Sequence, residues 1–386
     1  MLLFRRTKTK KSLPTSSSSN GTGADTGAHT LNDADLAETL SATRPLARAV
    51  RDHGKRVELR LAASFEQGLR DGMEDTGVIW WTSSSASDEA DTAPRVVAPR
   101  SQSQHVRHVG SKSPSPRVLC VFGVFDGHGG PEMSARLRAA LADDVVACID
   151  ALSAADFANE ARLAAAVEGT FAAFDQRFFT EVMAVKPAPL QTAGSTALLV
   201  IILAGSLEML VCNVGDCRAV LRRDSDVVPL SRDHLPSLAS ERQRVQDSQN
   251  GFLREGLVNG VLQMTRAFGD FELKSTAPSL DRAGVIAKPE IRRVQLCETD
   301  THVVVACDGL WDVCTSSDVV KIINEHADAS DIADLCSGLV RTALERGSTD
   351  NTSCFVMHIH HAGGGDDDGD KPRITKKLSK LKQLIF

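Results

Sequence analysis

Apolar and polar residues first alternate at Val57, Leu59 and Leu61, the period of a half-buried strand, so order is expected from that point. Gly77 to Trp81 reads as a second strand and the apolar run from Arg117 to Phe125 as a third. Apolar positions at helical spacing predict helices over 131–149 and 155–180. Strands are then predicted over Thr196–Leu203, Glu208–Asn213 and Arg218–Leu221, followed by a polar helix over Leu238–Gln249. Short strands near Val261 and over Ile291–Leu296 lead to another in THVVVACD, 301–308. Helices over 316–326 and 330–346 precede a last strand, Thr352–His360. Helices fall in pairs between runs of strands. That arrangement excludes a βαβ array and predicts an α+β fold of antiparallel sheets flanked by helix pairs.

Three segments fall outside the pattern. Residues 1–50 read as a disordered, basic, Ser/Thr-rich tail whose one candidate element is a short helix near Leu36 to Leu46. Residues 82–116, dominated by Ser, Pro and charge, read as a disordered insertion between strands, which costs little closure entropy. Within it, Ser113-Pro114 and Ser115-Pro116 have the form of proline-directed phosphorylation sites. Residues 362–386 read as an acidic linker and then a basic segment with Ile374, Leu378, Leu381 and Ile385 at helical spacing. That segment suits a membrane surface or a docking partner's groove, and equally a cap on the domain.

Net charge is −6 and the isoelectric point near 6.0, which gives no reason to expect nucleic-acid binding. The nine cysteines include no CxxC pair, so neither a disulfide framework nor a structural zinc site is indicated, and a reducing compartment fits. The longest apolar run, Ala197 to Ala204, is far below the roughly 20 residues a membrane helix needs. Cytoplasmic or nuclear location is the expectation. The acid-free, basic, Ser/Thr-rich opening MLLFRRTKTKKSLPTSSSSNGTGA also has the composition of a mitochondrial transit peptide, so that compartment stays open.

The chemistry lies in carboxylates beside glycines or at strand ends. They occur in RDGMEDTG (70–77), FDGHGG (125–130), NVGDCR (213–218), CDGLWD (307–312) and RGSTDN (346–351). One Asp-Gly at a strand end is ordinarily a turn. Several such carboxylates gathered at one cavity repel, and need a cation or protons to coexist. Oxygen donors without His or Cys select hard ions such as Mg²⁺ or Mn²⁺. Two such ions about 3.5–4 Å apart clamp a water, lower its pKa and aim it at phosphorus. An imidazole such as His128 then suits a general acid, and a guanidinium such as Arg70 suits bidentate phosphate binding.

These segments, together with QGLRDGMEDTG, VFGVFDGHGG, AGSTALL, CNVGDCRAVL, TRAFGD (265–270), KPEI, VVVACDGLWDV and RGSTDNTS, resemble in order the motifs of the metal-dependent type 2C serine/threonine protein phosphatases over 56–361. The resemblance implies a four-layer α-β-β-α sandwich and a monomer acting on phosphoprotein substrates in signal transduction. It implies a hydroxide bridging two Mn²⁺ or Mg²⁺ ions that hydrolyses phosphoserine and phosphothreonine. It further implies that Asp126 bridges both ions and that Glu74 and the Gly127 carbonyl hold one of them, while Asp308 and Asp350 hold the other. Asp75 stands behind these ligands, Arg70 binds phosphate and His128 protonates the leaving oxygen. Asp216 and Asp312, with Asp308, match a third, loosely held metal; Asp270 matches a motif position that is not a ligand and reads as a turn or structural hydrogen bond. Leu235 stands where the family often has Lys, and the following flap, 237–260, is only loosely similar, which bears on substrate choice.

Other signatures compete. Cys212 to Arg218 satisfies the Cys-x5-Arg loop of cysteine-dependent phosphatases, but Asp216 within it would repel a phosphate dianion, so Cys212 is expected to be a buried strand residue. Asp224-Ser225-Asp226 satisfies an aspartyl-phosphate pattern and is expected to be a hairpin turn. His358, His360 and His361 are expected to be a strand end rather than a metal tract. The rival from another class is a catalytically silent phosphatase fold serving as a binding module; the complete ligand set argues against it.

Overall fold

The computed structural model describes residues 57–361 apart from 83–94, 97–99, 102–103, 112–114, 186–187 and 327–330. The expectations for the tails 1–50 and 362–386 and for Ser113 lie outside the described residues.

The chain begins with β1 (Val57–Glu66) and β2 (Thr76–Thr82), then β3 (Arg95–Val96), β4 (Arg100–Ser101), β5 (Val106–Ser111), β6 (Val118–Phe125) and β7 (Gly127–His128). Helices α1 (Glu132–Ala151) and α2 (Glu160–Val185) precede β8 (Gly194–Ser195), β9 (Ala197–Leu203), β10 (Glu208–Val214), β11 (Arg218–Arg223) and β12 (Asp226–Pro229). Next come α3 (Ala239–Asp247), β13 (Leu253–Arg254), β14 (Leu257–Val258), β15 (Phe268–Gly269), β16 (Glu290–Gln295) and β17 (Asp300–Ala306). Helices α4 (Ser316–Glu325) and α5 (Ile332–Glu345) and the strand β18 (Thr352–His361) complete the fold.

One sheet runs β12-β11-β17-β18-β1-β3, with β4 also on β1; the other runs β16-β10-β9-β6-β2-β5. Leu59, Leu61, Val303, Val305, Phe355 and Met357 point from the first sheet into a shared core with Phe122, Val124, Val200 and Ile202 of the second. The opposite face of the second sheet packs on Leu137, Leu141, Val167 and Phe171 of α1 and α2, and that of the first on Val319, Ile323, Leu335 and Leu339 of α4 and α5. The expected four-layer sandwich is therefore formed. It explains why β6 and β9 are buried at every position: each is covered on one face by the other sheet and on the other by helices. Each such Val, Leu, Ile or Phe stabilises the fold by about 1.5–3 kcal/mol through burial.

The insertion is where the structure departs from the sequence reading. Within 82–116, expected to be disordered, β5 pairs in parallel with β2, and β3 and β4 pair in parallel with β1. Both sheets are antiparallel at their centres and parallel at these edges. An edge strand needs only one row of partners and one apolar face, here Val106, so Arg107 and His108 can remain without spoiling it. Ser115 is buried: its hydroxyl donates to Asp150 and accepts from the backbone N–H groups of Arg117 and Val118. It is a structural cap on the entry to β6 and not the accessible phosphorylation site its Pro116 neighbour suggested.

The strand expected near Val261 is instead the hairpin β13–β14, turned by Glu255 and Gly256, both at positive φ as a tight two-residue turn requires. Asp224 sits, as expected, in the β11–β12 hairpin turn.

Candidate active site

The sandwich delivers its acidic loops to one end. β6 finishes at Phe125, and Asp126 follows, its backbone N–H donating to the Thr196 hydroxyl and its carbonyl accepting from Thr196 N–H. This reciprocal pair ties the end of β6 to the start of β9. β17 finishes at Ala306, and Asp308 opens a single helical turn, Asp308–Trp311. Asp350 lies just before β18, and Asp75 just before β2.

Among the described residues, one group of three metal-capable side chains converges, with ligand atoms of Asp75, Asp126 and Cys307 all within 4.8 Å of one another. Asp126 was expected there as a ligand and Asp75 behind the ligands; Cys307 was not anticipated. Its thiol donates to the Asn351 carbonyl and accepts from Ser353 N–H, so it reads as a brace beneath the site. Burial pushes the Cys307 thiol, and likewise Cys217 beside Asp126 and Asp216, far up, which keeps both protonated near neutral pH.

The Asp75 carboxyl is pushed up to about 7, first by burial and then by the neighbouring charges of Asp308 and Asp350, while the hydrogen bond from the Ser353 hydroxyl and the adjacent Cys307 thiol act in the opposite direction. Carboxylates that raise one another are what a divalent cation relieves. Gly127 fits the same purpose. A Cβ there would stand 2.6 Å from the Glu74 carbonyl and 3.0 Å from the Ser134 hydroxyl, so only glycine lets this turn press against the Glu74 segment. Hard oxygen donors from four loops and a glycine at the turn thus fit an oxygen-liganded metal centre.

The other expected residues are placed as follows. Glu74 Oε1 accepts from Gly130 N–H at 3.1 Å. Arg70 Nη2 meets Asp350 Oδ2 at 2.5 Å, with the guanidinium more than one-third exposed. His128 Nε2 lies 2.9 and 3.1 Å from the two oxygens of Asp270. Asp216 is buried and Asp312 exposed; both lie near the Arg218 guanidinium, which is held by Asp233 at 2.6 and 3.0 Å. Cys212 is buried in β10 with its thiol pushed up to about 12 by burial, so it is poorly suited to be a nucleophile.

Sequence reasoning passed over several supports. Asn351 is buried, accepts from Glu74 N–H and donates to the carbonyls of Gln67 and Gly72, stapling the 67–74 loop to the start of β18. His234 Nδ1 accepts from Gly215 N–H and fixes the turn before Asp216. Glu241 binds Thr265, Arg244 and Arg266; burial alone would raise its carboxyl, but the two arginines outweigh that and bring it to about 2. The DHLP and STDN runs carried the signal for His234 and Asn351; nothing local marked Glu241. Asn351→Ala removes three hydrogen bonds of about 0.5–1.5 kcal/mol each. A loss of about 2–3 kcal/mol in denaturant unfolding is expected, and an unchanged midpoint would show that the staple is idle.

Comparison with known proteins gives one answer. The family profile described as protein phosphatase 2C matches residues 93–352. A rice protein, "Probable protein phosphatase 2C 2" of Oryza sativa subsp. japonica, is 31% identical over 298 residues, 74% of this chain and 75% of its own. An Arabidopsis thaliana protein, "Probable protein phosphatase 2C 11", is 36% identical over 245 residues, 63% of this chain and 59% of its own. A solved phosphatase from Toxoplasma gondii has a similar fold, with TM-score 0.58 at 21% identity over 78% of this chain and 93% of that one.

Proposed function

Because the chain belongs to the protein phosphatase 2C family and is a metal-dependent serine/threonine protein phosphatase, we propose that it hydrolyses phosphoserine and phosphothreonine through two Mn²⁺ or Mg²⁺ ions at this acidic end of the sandwich. The observation that carries the reading is the convergence of Asp126 with Asp75, under the charges of Asp308 and Asp350. Asp126, Glu74 and the Gly127 carbonyl would hold one ion, and Asp126, Asp308 and Asp350 the other. Bound there, the ions supply a nucleophile from water and neutralise phosphate charge.

The chain's own side chains do the rest. Asp75 and Cys307 brace the ligands from beneath. Arg70 exchanges Asp350 for phosphate oxygens, which a guanidinium fork can grip two at a time. His128 delivers a proton to the departing serine or threonine oxygen. Asp216 and Asp312 would take a third ion only in competition with Arg218, which already gives them a positive neighbour.

The test is phosphate release from a phosphothreonine peptide with added Mn²⁺, with excess chelator, and after thiol alkylation. Release that needs the metal and survives alkylation is expected. No release from folded, metal-loaded protein would turn the reading toward a silent binding module.

A further inference from the structure

The strands β7, β8 and β15 form a small sheet apart from the sandwich, in which His128 pairs with Gly194 and Gly194 with Gly269. Its strands are only two residues long, too short to be stable for their own sake. What it does is bring His128 and Asp270 to either side of Gly194. A Cβ on Gly194 would overlap both His128 Nε2 and the Asp270 carboxylate. Asp270 itself is left-handed, at φ 52° and ψ 40°, a conformation that costs a non-glycine residue about 1 kcal/mol or more.

That turn is held from behind. Asp175 of α2 accepts from Gly269 N–H at 2.8 Å and from Lys274 Nζ at 2.7 Å, and Lys274 donates again to the Ala267 carbonyl at 2.8 Å. Asp175 and Lys274 are both buried, and Asp270 N–H donates to the Ala193 carbonyl at 3.0 Å. A buried ion pair is a poor source of stability but sets geometry. Here the geometry it sets is that of a strained turn, and the strained turn carries a carboxylate that faces His128.

We propose that Asp270 is the positioning residue of the proposed general acid: it holds the His128 ring with its proton on Nε2 and so assigns Nδ1 to the leaving oxygen. A carboxylate only accepts, so the ring nitrogen 2.9 Å from Asp270 is the protonated one. Nδ1 is buried and has no hydrogen-bond partner among the described residues. In the step, the Nδ1–H bond breaks as the serine or threonine O–H bond forms; the P–O bond to that oxygen breaks as water's oxygen bonds to phosphorus. Asp270 accepts from Nε2–H before and after the step and keeps the ring from turning. This rests on the phosphatase reading above.

The experiment compares kcat/KM for p-nitrophenyl phosphate, whose leaving group departs without a proton, with phenyl phosphate, whose leaving group needs one. It uses Mn²⁺-loaded wild type, Asp270→Asn, His128→Gln, the double variant and Gly194→Ala. Asp270→Asn and Gly194→Ala are each expected to raise the ratio by about 10- to 100-fold, and Asp270→Asn to add nothing in the His128→Gln background. Equal losses on both substrates, or additive effects in the double variant, overturn the assignment. Wild type inactive on both substrates sinks the phosphatase reading and this one with it; an unchanged ratio in His128→Gln removes the general acid itself. A measurement on wild type guards against variants that fold poorly. Nitrogen-15 spectra of the Mg²⁺-loaded protein should show the neutral His128 ring as the Nε2–H tautomer, and the Nδ1–H tautomer contradicts the proposal.

Discussion

Replacing Asp308 with Asn is expected to lower kcat by about 10³-fold while leaving the metal-free protein at least as stable as wild type. The first half follows from the proposed role of Asp308 as a hard anionic ligand, at a centre whose charge stabilisation would be worth several kcal/mol, at about 1.4 kcal/mol per tenfold in rate. The second half follows from the repulsion in the cluster. Asp308 is one of the charges that push the buried Asp75 carboxyl up to about 7, so removing it relieves strain that only a cation otherwise offsets. Activity loss with a retained or raised melting temperature in chelator separates a functional carboxylate from a structural one. Undiminished turnover would refute the ligand assignment, and a large drop in melting temperature would show that Asp308 mainly holds the fold together.

Which parts of this site could be read from the chain depends on how local their cause is. Asp126 and Asp308 follow apolar strands and stand beside glycines, so both the strand and its chemical end are written within ten residues. The layers were legible for the same reason: β6 and β9 are continuous apolar runs and α4 and α5 are capped, Thr315 by a capping box with Asp318 and Asp331 on Ala333 N–H. The edge strand β5 was hidden because only Val106 and Val109 mark it amid serines and charges. Its stability comes from β2, which lies far enough upstream that composition cannot show the pairing. The Asp270 contact was hidden more deeply, since it joins residues 142 apart through a glycine that contributes only the absence of a side chain. Cys307 was invisible as a brace, because a buried thiol and a merely apolar residue look alike in sequence.

Acid should weaken the end of the sandwich away from the acidic cluster through a pair of buried histidines. On the helix-side face of the first sheet, His302 and His358 are cross-strand partners whose rings stack at 4.7 Å, between Arg222 paired with His302 and Arg60 paired with His358. His360 and His361 lie nearby and Glu58 binds Arg60, so an arginine stands on either side of the pair. Burial first, and then these positive neighbours, lower His302 to about 3 and His358 to about 4 from the ordinary 6.5. The sign follows from which state binds protons first. Below pH 6.5 the unfolded chain protonates both rings while the folded protein does not, so stability is present above 6.5 and is lost as pH falls toward the folded values. Between pH 7 and 5 each fully buried ring would withdraw about 2 kcal/mol; the partial exposure of His358 reduces the sum to about 2–4 kcal/mol. Urea unfolding in chelator at the two pH values should show wild type losing about 2–4 kcal/mol relative to the His302→Gln, His358→Gln double variant, since the Asp75 carboxyl, pushed up to about 7, adds an opposite trend that both proteins share. Parallel losses in both proteins would place the acid sensitivity elsewhere, in carboxylates whose folded-state partners are lost on protonation.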